Sequence, residues 1–263
     1  MFSNSLTFLI FLLIGLELRD GISKPKSLIL PSLCALGGMA APALIFKTLQ
    51  PNSPIWAVTM PTDVALALGA LSLLGPRVNP RVRIFLLMLA VADDFFSLGV
   101  IAIFFRSDLH LSSVIYTFGA ATIGFFSPKR DQLLAPFAKL VTFAVIPAYI
   151  ILNLFSKLDF ASISQSGTWA IVIARVAGKI LGITLVAWAI FKVAPRFRPE
   201  GIELGDIAGV GALAGMGLTV SLVIAKITVT TESALSEARL GLFFAALISG
   251  AIGTLVLKRS LAS

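Results

Sequence analysis

The chain has 263 residues, of which 57% are hydrophobic and 13% charged, and its mean hydropathy is +0.98. Water-soluble domains carry about twice that share of charged residues, so the composition excludes a soluble globular protein. The net charge of +8 is divided among short Lys and Arg clusters between apolar runs, which excludes the continuous basic surface of a nucleic-acid-binding protein.

Apolar runs of the length of a membrane-spanning helix recur along the whole chain. A transmembrane helix needs about 20 apolar residues, whereas a barrel strand is about half as long and alternates in polarity. We predict nine spans, at residues 2–18, 28–46, 54–74, 84–105, 111–126, 137–155, 169–193, 207–225 and 240–257. The predicted fold is therefore an all-α polytopic membrane protein with a single transmembrane domain over residues 1–263, whose first run is a retained helix and not a signal peptide.

The Lys and Arg residues between these runs predict the orientation of the chain, because such residues are retained on the cytoplasmic side. The larger set lies in connections on one side, at Arg19, Lys24, Lys26, Arg77, Arg81, Arg83, Lys129, Arg130, Lys192, Arg196, Arg198, Lys258 and Arg259. The smaller set lies on the other side, at Lys47, Arg106, Lys157, Lys226 and Arg239. We expect the protein to lie in the cell (inner) membrane. Its N-terminus is then outside and its C-terminus is in the cytoplasm.

This topology contains two helix triplets of opposite orientation, at residues 28–105 and 169–257. The middle span of each triplet carries helix-breaking residues: Pro61 in the first, and Gly209, Gly211, Gly215 and Gly217 in the second. Interrupted helices at matching positions of inverted repeats are typical of ion sites in secondary transporters. The alternative is that the glycines only allow close helix packing.

Two adjacent acidic residues, Asp93 and Asp94, lie near the middle of the fourth predicted span. A charged group at that depth costs at least about 2.5 kcal/mol, so it indicates a function. Neighbouring residues on a helix point about 100° apart, which lets one carboxylate face a cavity and the other a partner helix. A cation or proton site is favoured over a structural hydrogen-bonded pair.

Thr62 and Asp63 directly follow the predicted break at Pro61. One interpretation is that Asp63 balances the partial charges of opposing helix ends where the broken spans cross. The other is that it caps the helix after Pro61 as an ordinary N-cap. Both interpretations make Asp63 important for the assembly.

Lys179 lies near the middle of the seventh predicted span and needs a carboxylate partner, for which Asp93 and Asp94 are the candidates. A buried Lys beside an acid can carry a proton, although a purely structural ion pair is the alternative. Arg175 is one turn nearer the outer edge, where we expect it to extend towards the surface or to compete with Lys179.

Glu17, at the inner end of the first predicted span, is either paired with Arg19 at the membrane boundary or part of a cytoplasmic gate. His110, the single histidine, is expected in a solvated outer connection.

Five strings carry a family resemblance: FLIFLLIGLELRDG, PTDVALALGALSLLG, IFLLMLAVADDF, ARVAGKILGIT and GVGALAGMGLTVSL. Together they resemble the NhaA family of bacterial Na+/H+ antiporters. The resemblance implies that Asp94 is the principal Na+ or Li+ ligand and that Asp93 is the neighbour that pairs with Lys179. It further implies that Thr62 and Asp63 compensate the crossed helix ends and that Glu17 belongs to a cytoplasmic funnel. The implied partners are Na+, Li+, H+ and the lipid bilayer, with no cofactor and no nucleic acid.

The chain departs from that family in three places. It starts at what resembles the second family helix, so the first helix and the hairpin that supports the family's homodimer have no counterpart. Around LSSVIYTFGAATIGFFSP about two family helices have no counterpart in this chain. Ala135-Pro136 stands where many members carry His-Pro.

Three functional interpretations therefore stay open. The first is a shortened Na+/H+ antiporter, and the second is a degenerate or truncated antiporter-like protein without transport activity. An intramembrane aspartyl protease is disfavoured, because no aspartate here lies in the Gly-x-Gly-Asp motif of such enzymes.

Overall fold

The computed structural model describes residues 2–22, 25–75, 78–104, 115–128, 130–229 and 231–260, and within these ranges it is helical without any strand. The helices are α1 Phe2–Ile22, α2 Pro25–Leu49, α3 Val64–Ser72, α4 Pro80–Phe104, α5 Ala120–Phe125, α6 Arg130–Leu140, α7 Ile146–Asn153, α8 Ser166–Val193, α9 Leu204–Ala214, α10 Thr219–Thr228 and α11 Glu232–Ser260. A 3₁₀ segment at Pro54–Thr59 precedes α3, and π-helical turns at Ile115–Gly119 and Val141–Val145 precede α5 and α7.

Six of the described helical stretches are long and apolar enough to cross a membrane: 28–49, 54–72, 80–104, 134–157, 166–193 and 232–260. The pair α9 and α10, bent by 49°, would make a seventh. The first predicted span corresponds to a shorter apolar stretch at Asn4–Glu17, and the fifth falls partly outside the described residues. The all-helical membrane fold is thus confirmed, whereas the count of nine spans and the inverted repeat stay predictions.

Both predicted breaks are present. Between the 3₁₀ segment and α3, residues 60–63 are not helical, because the ring of Pro61 cannot continue the helical hydrogen bonding. Between α9 and α10, residues 215–218 leave the helix, starting at the C-cap Gly215. Each break leaves backbone groups without helical partners in the interior of the protein, and these groups need other partners.

The most extensive helix contact joins α2 and α8. The two helices approach closely because Gly37 of α2 faces Gly182 of α8, and a Cβ atom on either would overlap the backbone of the other. Around this pair, α9 packs against α8 and α11, and α4 packs against α2. The long helix α8 is therefore held in the centre of the bundle, where it contacts both broken spans.

The buried apolar residues form two clusters with a polar layer between them. On α8, Ile171 belongs to one cluster and Ile183 to the other, while Arg175 and Lys179 lie between. Further buried polar residues lie between the two clusters along the chain: Thr62 and Asp63 at the break before α3, and Asp93, Asp94 and Ser97 on α4. The candidate site is thus a layer of polar side chains enclosed by apolar packing on both sides.

Candidate functional site

Asp63 connects the starts of two helices at the crossing of the broken spans. It is the N-cap of α3, where its Oδ1 accepts a hydrogen bond from the backbone N of Leu66 at 3.3 Å. Its Oδ2 accepts from the hydroxyl of Thr219 at 2.7 Å and from the backbone N of Thr219 at 3.3 Å, at the start of α10. Helix N-termini carry partial positive charge, so one buried carboxylate stabilises both. The two interpretations of Asp63 from the sequence describe the same arrangement.

Arg175 binds the other helix ends at the crossing. Its acceptors are oxygens near the ends of the helical segments that precede the two breaks. Its guanidinium donates to the carbonyls of Val58 and Pro61 at 2.7 Å each and to that of Gly215 at 3.2 Å. It also donates to the hydroxyl of Ser221 at 2.7 Å. Helix C-termini carry partial negative charge, so this buried cation stabilises the ends that Asp63 does not reach.

The expectation that Arg175 extends to the membrane surface is therefore wrong, because its side chain is completely buried. The two helix breaks supply carbonyl acceptors at its own depth, so it does not need water. Gly217 leaves room for this contact, since a Cβ atom there would overlap both the Pro61 carbonyl and the Arg175 guanidinium. The sequence does contain a signal for this buried position, namely an arginine within a predicted span of a chain that has two interrupted helices.

Lys179 pairs with Asp93, and this resolves the choice between the two acids. Its Nζ lies 2.9 Å from Oδ2 of Asp93, and both side chains are completely buried. The same Nζ donates to the hydroxyl of Thr62 at 3.0 Å. Arg175 binds Ser221 and backbone carbonyls, so it does not displace Lys179 from this pair.

Asp94 is placed differently from its neighbour. Its carboxylate is buried but lines a cavity of about 640 Å³, and its Oδ1 has no hydrogen-bond partner within the described residues. Asp63 and Glu17 line the same cavity, together with residues of α3, α10 and the turn at Val141–Val145. Glu17 therefore shares a space with Asp94, while the side chain of Arg19 and the whole of His110 lie outside the described residues.

A second cavity, of about 710 Å³, lies between α2, α4 and α5 and is lined almost entirely by apolar side chains such as Phe96, Val100 and Phe118. None of the described residues that line it is charged, so the smaller cavity beside Asp94 is the better candidate for an ion path.

Known proteins are similar to this chain over nearly its whole length. The family model "Na+/H+ antiporter 1" matches residues 1–132 and 127–257. Two relatives, both named Na+/H+ antiporter NhaA, are those of Psychrobacter arcticus and Paramagnetospirillum magneticum. The first is 29% identical over 98% of this chain and 80% of its own length, and the second is 30% identical over 98% and 83%.

These matches also bear on the expected shortening of the chain. The alignment with the Psychrobacter arcticus relative covers 321 positions, which exceeds the 263 residues of this chain, so the chain lacks residues that this relative has. The two segments matched by the family model overlap at residues 127–132. This overlap is next to residues 111–128, around which the missing family helices are expected. Antiporters are secondary transporters, so the assignment favours a transporter over the protease alternative and confirms that the chain is not an enzyme. The chain belongs to the Na+/H+ antiporter 1 family.

Proposed function

We propose that this chain exchanges Na+, and also Li+, for H+ across the cell membrane by competition at the Asp93–Asp94 pair. The observation that carries the proposal is that Lys179 pairs with Asp93, while the adjacent Asp94 lines a cavity and has an oxygen without a partner among the described residues. Family membership supports the same activity.

Competition follows from the chemistry of a buried carboxylate. A carboxylate oxygen that is protonated is a poor ligand for a cation, and a bound cation disfavours the proton. Na+ that enters the cavity and binds Asp94 releases its proton, and a high proton concentration releases Na+. The two ions are therefore never held by the same oxygen, which couples their movements.

Lys179 is the proposed second proton carrier. When Na+ engages Asp93 as well as Asp94, the ammonium of Lys179 loses its counter-ion while it stays buried beside Thr62. A buried ammonium without a paired carboxylate is unfavourable, so Lys179 releases its proton in that state. Because more than one proton then leaves for each Na+ that binds, exchange moves net charge.

The crossing of the broken spans is the element proposed to change between the two access states. Short helices that meet end to end can tilt without breaking the hydrogen bonds of a long helix. Asp63 and Arg175 compensate the partial charges of the helix ends. The cavity with Glu17 is the proposed cytoplasmic entrance, in an orientation with the N-terminus outside and the C-terminus in the cytoplasm.

The test is Na+-driven proton movement in everted membrane vesicles of a host that lacks its own antiporters, between about pH 6.5 and 8.5, where a buried carboxylate can titrate. Wild type is expected to exchange and Asp94→Asn to be inactive. Asp159→Asn, the same change at an exposed turn, is the control. An inserted and folded wild type without exchange would instead support the degenerate alternative, consistent with the missing residues.

A further inference from the structure

Three neighbouring side chains of α4 each carry a buried oxygen without a hydrogen-bond partner among the described residues. These oxygens are Oδ1 of Asp93, Oδ1 of Asp94 and Oγ of Ser97. All three side chains are at least nine-tenths buried, with exposures of 0%, 4% and 1%. An unpartnered buried oxygen is unfavourable, and three of them within one helical turn require an explanation.

Helix geometry brings Ser97 to the same face as the two acids. Ser97 follows Asp93 by four residues and Asp94 by three, so at about 100° per residue its direction lies between theirs. Side chains at these spacings have Cβ atoms about 5–6 Å apart. Because the Cα–Cβ bonds of a helix tilt towards its N-terminus, the Cβ atom of Ser97 lies on the side of the turn that carries the acids.

The hydroxyl of Ser97 also differs from several other helical hydroxyls in this chain, which donate to their own helix. Serine and threonine in a helix commonly donate to the carbonyl four residues earlier. Thr122 donates to the carbonyl of Phe118 in this way at 2.7 Å, and Thr254 to that of Gly250 at 2.8 Å. Ser97 makes no such bond. Its oxygen is thus available to a ligand in the site.

We infer that Ser97 supplies a third ligand oxygen for the transported cation, beside Asp93 and Asp94. This inference rests on the proposed function and extends its ion site by one residue. A single alkali cation is a hard ion that binds oxygen, so it satisfies all three orphan oxygens at once. Larger cations take more oxygen ligands at longer distances, so the hydroxyl contributes more to Na+ binding than to Li+ binding.

The test compares Ser97→Ala with Ser97→Thr in proteoliposomes, with the apparent KM for Na+ and for Li+ as the readout. Loss of a ligand oxygen raises the KM for Na+ in Ser97→Ala by about tenfold, with a smaller rise for Li+. Ser97→Thr keeps the hydroxyl and keeps a KM near that of wild type. Because protons compete more successfully in Ser97→Ala, its activity at a fixed Na+ concentration moves to higher pH.

Ser249→Ala is the matched control. Ser249 is also a completely buried serine whose hydroxyl has no partner in the described part of the chain, but it lies on α11 against Gly215. Its removal is expected to leave the KM for Na+ unchanged. A KM for Na+ in Ser97→Ala equal to that of wild type, or an equal rise in Ser249→Ala, would overturn the inference.

The same experiment separates this inference from the proposed function. If wild type does not exchange Na+ for H+, the proposed function fails. If wild type exchanges and Ser97→Ala has an unchanged KM, only the role of Ser97 fails. Should Ser97→Ala not fold, Ser97→Cys serves as the second variant, because a thiol is a soft donor that should also raise the KM for Na+.

Discussion

Asp63 and Thr219 are 156 residues apart in the chain, yet their side-chain oxygens are 2.7 Å apart in the structure. Through this bond one carboxylate holds the starts of α3 and α10, which belong to different broken spans. The bond is buried, so its contribution is not screened by water.

The first prediction concerns the stability of this crossing. Asp63→Ala removes the cap of α3 and the charge that faces the start of α10, so we expect a loss of about 2 kcal/mol in the free energy of unfolding. Unfolding of the detergent-solubilised protein measures the loss. Asp159→Ala, at an exposed 3₁₀ turn, is the control and should lose less. Equal stability of Asp63→Ala and wild type would contradict the assigned role.

The second prediction concerns Arg175. Arg175→Gln leaves buried carbonyls of the helix ends without a donor, and we expect it to cost about 3 kcal/mol or more. Arg175→Lys keeps the charge but not the planar fork, so its loss should be intermediate. Thermal unfolding of both variants, with exposed Arg198→Gln as the control, checks this order. A Lys variant as stable as wild type would show that charge alone suffices.

The third prediction concerns the ion pair between Lys179 and Asp93. Lys179→Met leaves the Asp93 carboxylate buried without its partner, and we expect a loss of about 3–5 kcal/mol. Adding Asp93→Asn removes the unpaired charge, so the double variant should be more stable than Lys179→Met alone. Unfolding measurements on the full double-mutant cycle give the coupling. Additive losses would mean that the two side chains do not depend on each other.

The fourth prediction concerns access to the site. Glu17→Gln removes a negative charge from the cavity that also contains Asp94, so cations should be attracted less strongly. We expect the KM for Na+ to rise by about two- to tenfold without a loss of stability. Glu200→Gln, whose side chain is 92% exposed, is the control in the same transport assay. An unchanged KM in Glu17→Gln would place the entrance elsewhere.

Several parts of the site could be predicted from the sequence because they depend on depth alone. An acid or a lysine in the middle of an apolar run requires a buried partner wherever the helices pack, which identified Asp93, Asp94 and Lys179. The break at Pro61 was predictable for a similar reason, since proline interrupts the helix through its own geometry.

Other parts depended on packing and could not be predicted. The choice between Asp93 and Asp94 as partner of Lys179 depends on the rotation of α4, which two adjacent acids do not determine. The buried position of Arg175 could not be predicted from its depth in the membrane, because its acceptors are carbonyls at helix breaks far away in the chain. The lack of a bond from Ser97 to its own helix also appears only in the structure.

The most direct measurement is proton release on addition of Na+ to the purified protein in weakly buffered detergent solution. Competition at Asp94 predicts that wild type releases protons as Na+ binds, and that Asp94→Asn releases none. Choline chloride at the same ionic strength should release none from either protein. Na+ binding to wild type without proton release, or equal release from Asp94→Asn, would contradict exchange by competition at this carboxylate.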